Sequence, residues 1–242
     1  PYRSAAEAEP VDLLLVGVKF GGLQAAITEA APFVQQGTVV ISLLNGISSE
    51  KILQQAFPQA HVLYCIAQGM DAVKDGNQAS YLHKGVLVLG EADGSHSEAL
   101  QAVGKLLDKA EIPYMISDAV IRKLCSKLVL DTGINQVVMV QKGTYATVQQ
   151  PGTARDMMIA AMREVMQVAN AEGIDLNEEE VQGWLQIADG LNPDGMPSMR
   201  QDGLAKRYSE VELFSGTIIP LAQKHHLAVP TCTMLYQQIK EI

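Results

Sequence analysis

Ile121–Val140 reads IRKLCSKLVLDTGINQVVMV, and this stretch decides how the rest of the chain is parsed. It contains no proline, and its apolar residues come so densely that a helix here is hydrophobic nearly all round, as befits an element buried inside a domain. Lys127, Asp131 and Asn135 break the pattern at intervals of four, so on a helix they form one stripe along one face. A buried stripe of that kind must be paired or must meet a ligand, because an ammonium stranded in apolar surroundings costs several kcal/mol or gives up its proton. The plain alternative is an ordinary i, i+4 ion pair between Lys127 and Asp131 on a partly exposed face. Gly133 costs a helix roughly 0.5–1 kcal/mol relative to Ala, and such a glycine is often kept where something approaches closely.

Upstream of this helix the chain has the rhythm of an α/β protein. VDLLLVGV, residues 11–18, is a nearly continuous apolar run, as expected of a parallel strand covered on both faces, and it ends at Lys19. The segment from Gly21 predicts a helix with Gly37 as its stop. TVVISLL follows as a second buried strand ending at Asn45-Gly46, so the order is strand, helix, strand. SSEKILQQAF predicts a short helix capped by Ser48 or Ser49. HVLYCIAQGM is a third strand, and SYLHKGVLVLGE, after the loop KDGNQ, suggests antiparallel strands that extend the sheet. A helix (SEALQAVGKLLDKA) and a short strand (IPYMIS) complete this half.

From Asp118 onward no strand pattern occurs. Thr153 and Asp156 stand in near capping-box spacing before a helix that stops at Gly173. Asn177 and Glu180 open another that ends at Gly190. LNPDGMP, residues 191–197, is the best candidate for a mobile loop. A long helix from Ser198 continues to His226 with a bend or break at Pro220, and a last helix follows Pro230. The fold class is therefore α/β: a Rossmann-like domain over residues 1–117, then an all-helical domain over residues 118–242.

Composition narrows the function. In 242 residues, 48% hydrophobic content is ample for a buried core. A net charge of −9 argues against nucleic acid or an anionic membrane as main partner, since both need a basic surface. No apolar run approaches the roughly 18 residues of a transmembrane helix, and PYRSAAEAEP lacks the apolar core of a signal peptide. Cys65, Cys125 and Cys232 lie far apart, which fits buried thiols in a reducing compartment, the cytoplasm, and the histidines lack the spacing of metal ligands.

In an open parallel sheet ligands bind beyond the carboxyl ends of the strands, where Lys19 and Asn45 stand. Each has a plainer reading: a solvated charge for Lys19 and a turn residue for Asn45. Ser198 opens S-M-R-Q, which reads equally as a helix cap, and Glu210 sits among Lys206, Arg207 and Glu212, where a solvated helix face is the default.

Taken in order, these residues carry a resemblance. A strand ending in Lys comes first, then a strand ending in Asn-Gly, then a helix K-L-x-x-(N/D)-x-x-x-N. S-M-x-Q-D follows, with Glu eight residues after its Asp and a glycine beyond. This pattern resembles the ketopantoate reductase family over nearly the whole chain. The resemblance implies a Rossmann nucleotide-binding domain, a helical substrate and dimerisation domain with homodimerisation a further expectation, and NADPH-dependent reduction of 2-dehydropantoate to pantoate on the route to pantothenate and coenzyme A. It implies that Lys127 is the catalytic lysine and that Glu210 stands near the reacting centre and the cofactor. It also implies that Asp131, Asn135, Ser198 and Asn45 bind the 2-keto acid, and that Lys19 and Asn45 contact NADPH.

Two departures qualify the match. Asp131 replaces the family's usual Asn and brings a negative charge to the expected place of an anionic substrate, so another 2-keto acid is an alternative. A non-catalytic helical dimerisation module is a third reading. No G-x-G-x-x-G occurs, although the family carries it at its extreme N-terminus; the expectation is that the first βαβ unit is missing here and that these 242 residues alone bind NADPH poorly.

Overall fold

The computed structural model describes residues 9–70, 73–75 and 77–242, with residues 73–75 described by backbone alone. The opening PYRSAAEA and Gly76 of the KDGNQ loop lie outside the described residues. The chain divides into two compact units, Pro1–Lys123 and Leu124–Ile242.

The first unit is built on a sheet. Its elements are β1 (Leu13–Val16), α1 (Leu23–Ala30), β2 (Val39–Ser42), α2 (Ser49–Ala56), β3 (His61–Met70), β4 (Val73–Asp75), β5 (Gln78–Ser80), β6 (Lys84–Gly90), α3 (Glu98–Lys109) and β7 (Tyr114–Ile116). Five strands lie in the order β1-β2-β3-β6-β7, and β4 and β5 form a separate antiparallel pair. β1, β2 and β3 run parallel, with Leu13 opposite Val39 and Val39 opposite His61. β6 runs antiparallel to β3 and parallel to β7.

β2 is buried at all four positions because successive side chains enter opposite cores. Val40 joins Leu23, Ile27, Leu53, Phe57 and Val62 under α1 and α2. Val39 and Ile41 join Leu63, Cys65, Leu89, Leu100 and Leu107 under α3. Ser97 caps α3 by accepting from the Leu100 N–H at 3.0 Å.

Several expectations are corrected. VDLLLVGV holds a strand of only four residues, β1, which lies at the edge of the sheet among the described residues, as expected where the first βαβ unit is missing, and Leu15 is 51% exposed. The helix from Gly21 does not run to Gly37. It ends at Ala30, where Ala31–Phe33 tightens into a 3-10 turn around Pro32, and Gly37 (φ +90°) serves the turn into β2 instead. Neither Ser48 nor Ser49 caps α2: Ser48 makes no side-chain cap, and the Ser49 hydroxyl is turned toward Ser42 and Glu50.

The second unit is helical. It contains most of α4 (Val120–Val140), then α5 (Ala146–Gln149), α6 (Thr153–Ala171), α7 (Glu178–Gly190), α8 (Ser198–Leu204), α9 (Ser215–Lys224) and α10 (Pro230–Lys240). α4 is the buried centre that its composition demands: from Leu124 to Met139 only Lys127, Leu130 and Asp131 are even partly exposed. A Cβ at Gly133 would lie 2.7 Å from Met162 Cγ and 3.0 Å from the Met158 carbonyl, so the close approach there is that of α6. Trp184 of α7 donates to Ser126 of α4 at 3.0 Å. Asn177 and Glu180 form the capping box at the start of α7. Both Glu164 oxygens accept backbone N–H groups at the start of α10, from Thr231 and Cys232 at 2.8 Å each.

Here too local signals mislead. Gly152 rather than Thr153 precedes α6, and Pro197 rather than Ser198 precedes α8, neither with a side-chain cap. The long helix from Ser198 is broken after Leu204. Asp202 ends it by accepting from the Arg207 backbone N–H through its carbonyl and from Arg207 Nε through its carboxylate, with Lys206 at φ +53° in the turn. Glu210 therefore lies in a non-helical segment ahead of a 3-10 turn, Val211–Leu213, and not on a solvated helix face. LNPDGMP is tied down, because the Pro193 and Gly195 carbonyls accept from Ala146 and Tyr145. No helix among the described residues is long and apolar enough to cross a membrane.

Candidate active site

In the helical unit, one row of polar side chains runs along α4 and is met by the start of α8. Lys127 Nζ donates to Asp131 Oδ2 at 2.6 Å, and the two side chains are 18% and 15% exposed. Lys placed four residues before Asp is the weaker order for an ion pair on an isolated helix, so burial and not helix propensity holds this pair. Asn135, nearly fully buried, donates from Nδ2 to the Asp131 carbonyl at 3.1 Å. Its Oδ1 accepts from Ser198 Oγ at 3.3 Å and from the Met199 N–H at 3.4 Å.

Lys127, Asp131, Asn135 and Ser198 are thus brought together across more than sixty residues of sequence. Ser198 does so because it is not a cap: with Pro197 before it, its hydroxyl points to Asn135 instead of its own helix. The chemistry available is a lysine–carboxylate pair followed along the same helix face by an amide bonded to a hydroxyl, donors suited to gripping a carboxylate or polarising a carbonyl. Glu210 stands half-buried at the start of its 3-10 turn, and its carbonyl accepts from the Leu213 N–H at 2.9 Å.

Tyr145 is a neighbour that no sequence pattern singles out. Its phenol is pushed up by burial and, secondarily, by the Asp131 carboxylate. A Cβ at Gly195 would lie 3.1 Å from its ring, so the LNPDGMP loop packs on it.

In the sheet unit, Lys19 and Asn45 follow the carboxyl ends of the neighbouring parallel strands β1 and β2. Lys19 has extended backbone, and its carbonyl accepts from Gly22 to start a 3-10 turn. Asn45 precedes Gly46, whose φ of +87° is the left-handed conformation that a tight turn between β2 and α2 requires. The sequence reading also passed over the buried trio Ser42, Ser49 and Glu50 beneath this turn. Its only signal was three polar residues flanking an otherwise apolar segment.

A parallel-dominated, Rossmann-like sheet unit followed by an all-helical unit with a lysine-bearing central helix defines the class. Within that class the chain belongs to the ketopantoate reductase family of oxidoreductases: the family model "Ketopantoate reductase PanE/ApbA C terminal" matches residues 119–242, and "Ketopantoate reductase PanE/ApbA" matches residues 1–94. It is 23% identical over 241 residues to the 2-dehydropantoate 2-reductase of Streptococcus pyogenes serotype M3, covering 99% of this chain and 78% of that relative. The Vibrio cholerae serotype O1 enzyme of the same name is 22% identical over 231 residues, covering 96% and 77%.

Among solved structures, 2-dehydropantoate 2-reductase from Geobacter metallireducens GS-15 superposes with a TM-score of 0.90 at 23% identity, covering 99% of this chain and 80% of that one. D-mandelate dehydrogenase with NADH and anilino(oxo)acetate gives 0.86 at 23% identity, covering 98% and 78%. A dimeric ketopantoate reductase from Staphylococcus aureus gives 0.86 at 20% identity, covering 98% and 79%. At these identities the superpositions speak for the fold.

Proposed function

We propose that this protein reduces 2-dehydropantoate to pantoate with NADPH, on the route to pantothenate and coenzyme A. The observation that carries the reading is the hydrogen-bonded row Lys127–Asp131–Asn135–Ser198, in which a lysine ammonium is held on a carboxylate and an amide and a hydroxyl follow on the same face. Residues 1–117 serve nucleotide binding and residues 118–242 serve substrate binding and homodimerisation, in a cytoplasmic enzyme.

The sheet unit offers part of a nicotinamide dinucleotide site, since Lys19 and Asn45 stand at the carboxyl ends of adjacent parallel strands, where such ligands lie, while the glycine-rich turn for the pyrophosphate is not among these 242 residues. The bound cofactor supplies the hydride. Everything else falls to the chain. Lys127 donates a hydrogen bond to the ketone oxygen and then a proton as negative charge grows there. Asn135 and Ser198 orient the substrate's hydroxyl and carboxylate, already fixed relative to each other by their mutual hydrogen bond. Glu210 keeps Lys127 placed and charged, and Lys19 and Asn45 hold the cofactor.

A second reading keeps the chemistry and changes the substrate. The Asp131 carboxylate, 2.6 Å from Lys127, offsets the positive charge that would draw an anionic substrate and stands where the family usually has Asn, which makes a 2-keto acid other than ketopantoate the second reading. NADPH oxidation by the full-length gene product with ketopantoate, run beside a panel of 2-keto acids, tests both readings. The highest kcat/KM on ketopantoate supports the first and the highest on another keto acid supports the second. No turnover of any of them returns the protein to a non-catalytic dimerisation module.

A further inference from the structure

The last residue of β2 and the first residue of α2 are both buried serines, Ser42 and Ser49, and their hydroxyl oxygens meet at 2.8 Å. Ser49 Oγ donates to Glu50 Oε2 at 3.0 Å, and the Leu44 N–H donates to Ser42 Oγ at 3.2 Å. A hydroxyl has one hydrogen to give, and with Glu50 ionised that of Ser49 goes to Glu50, so Ser42 is then the donor between the serines. The bonds therefore run in one direction, from the Leu44 N–H through Ser42 and Ser49 to Glu50. They span residues 43–48, the loop that carries Asn45 and the left-handed Gly46.

Glu50 is 1% exposed, and its Oε1 has no hydrogen-bond partner among the described residues. A carboxyl in such a place is a poor choice for stability alone, because burial of an unsatisfied polar atom costs about 1–3 kcal/mol and an apolar side chain would fill the space. Departures from the most stable choice of that kind are expected where a site needs its geometry held.

We propose that the Ser42–Ser49–Glu50 chain is a positioning device that ties the end of β2 to the start of α2 and thereby fixes the Asn45–Gly46 turn for its ligand. The inference rests on the reading of Asn45 as a ligand-contacting residue. Burial pushes Glu50 up to about 7, so the anchor is a neutral carboxyl on the acid side of neutrality. Tyr64 and Cys65 of β3 are the ionisable groups that feel it. Burial first and the Glu50 charge second push both upward, so neither supplies a charge to hold Glu50 ionised. Glu50 touches neither substrate nor cofactor in this account, and its effect is transmitted through Ser49 to the loop.

A double-mutant cycle on the full-length protein tests this, read both as kcat/KM with ketopantoate and as the NADPH dissociation constant. The second readout keeps the cycle informative if the true substrate is another keto acid. Asn45→Ala should weaken at least one readout by about tenfold or more, and Ser49→Ala by roughly tenfold while the unfolding midpoint stays close to wild type. The double variant Ser49→Ala/Asn45→Ala should be no worse than Asn45→Ala alone. Glu50→Gln, whose amide oxygen still accepts from Ser49, should keep most of the activity. Wild-type behaviour of Ser49→Ala, or additive losses in the double variant, would overturn the positioning role while leaving Asn45 in the site. Wild-type behaviour of Asn45→Ala would overturn the assignment of Asn45 and the positioning role with it. Should Ser49→Ala fail to fold, Ser42→Ala removes the same hydroxyl contact from the strand side and carries the same cycle.

Discussion

Glu50 offers the sharpest quantitative prediction about stability. Its carboxyl has an ordinary value of 4.5 and is raised to about 7 in the folded protein, chiefly by burial, against smaller lowering effects from its own backbone N–H and Ser49. A group raised on folding contributes its full stability below the unfolded value and loses it as pH climbs through the folded value, because between the two the native state holds a proton that the unfolded state has shed. At 1.36 kcal/mol per pH unit, moving from 4.5 to about 7 corresponds to roughly 3 kcal/mol of stability present near pH 4 and absent by pH 8. Glu50→Gln removes the titration and keeps the shape. Urea unfolding of both proteins across pH 4.5–8 should show the variant less stable than, or equal to, wild type at the acid end and gaining on it by about 3 kcal/mol toward pH 8. Other ionisable groups cancel in the difference. A stability difference between the two proteins that stays flat over this range would show that Glu50 is ionised throughout, and that the burial argument is wrong.

Three further predictions rest on the helical unit. Lys127→Ala should lower kcat by about 10²–10³ with circular dichroism unchanged, since its donor matters mainly as charge develops on the ketone oxygen; full activity would remove Lys127 from the site. Asp131→Asn should tighten binding of a 2-keto acid anion by roughly five- to tenfold in a direct titration, because it takes a like charge from beside the ligand; an unchanged dissociation constant would leave Asp131 as ion-pair partner of Lys127 alone. Glu164→Ala should destabilise the protein by about 2–4 kcal/mol in chemical denaturation, as it strips the Thr231 and Cys232 N–H groups of their acceptor at the start of α10; a loss under 0.5 kcal/mol, roughly that of an ordinary surface substitution, would show that water replaces it.

The sequence by itself determined the architecture. Continuous apolar runs such as VVIS read as two-faced burial, and β2 is buried at every position because each neighbour along it enters a different core. The density of apolar residues in Ile121–Val140 foretold a buried central helix, and Asn177 with Glu180 foretold a capping box, since both patterns act within a few turns of chain. The row Lys127, Asp131, Asn135 followed from helical spacing alone, and its order with Ser198 and Glu210 carried the family resemblance. Only the tertiary structure decided which partner each polar group takes when a local and a distant one compete. Ser198 had a capping-box reading and pairs with Asn135 instead. Ser49 had a capping reading and joins Ser42 and Glu50, and the helix expected through Glu210 stops at Leu204 because Arg207 folds back onto Asp202.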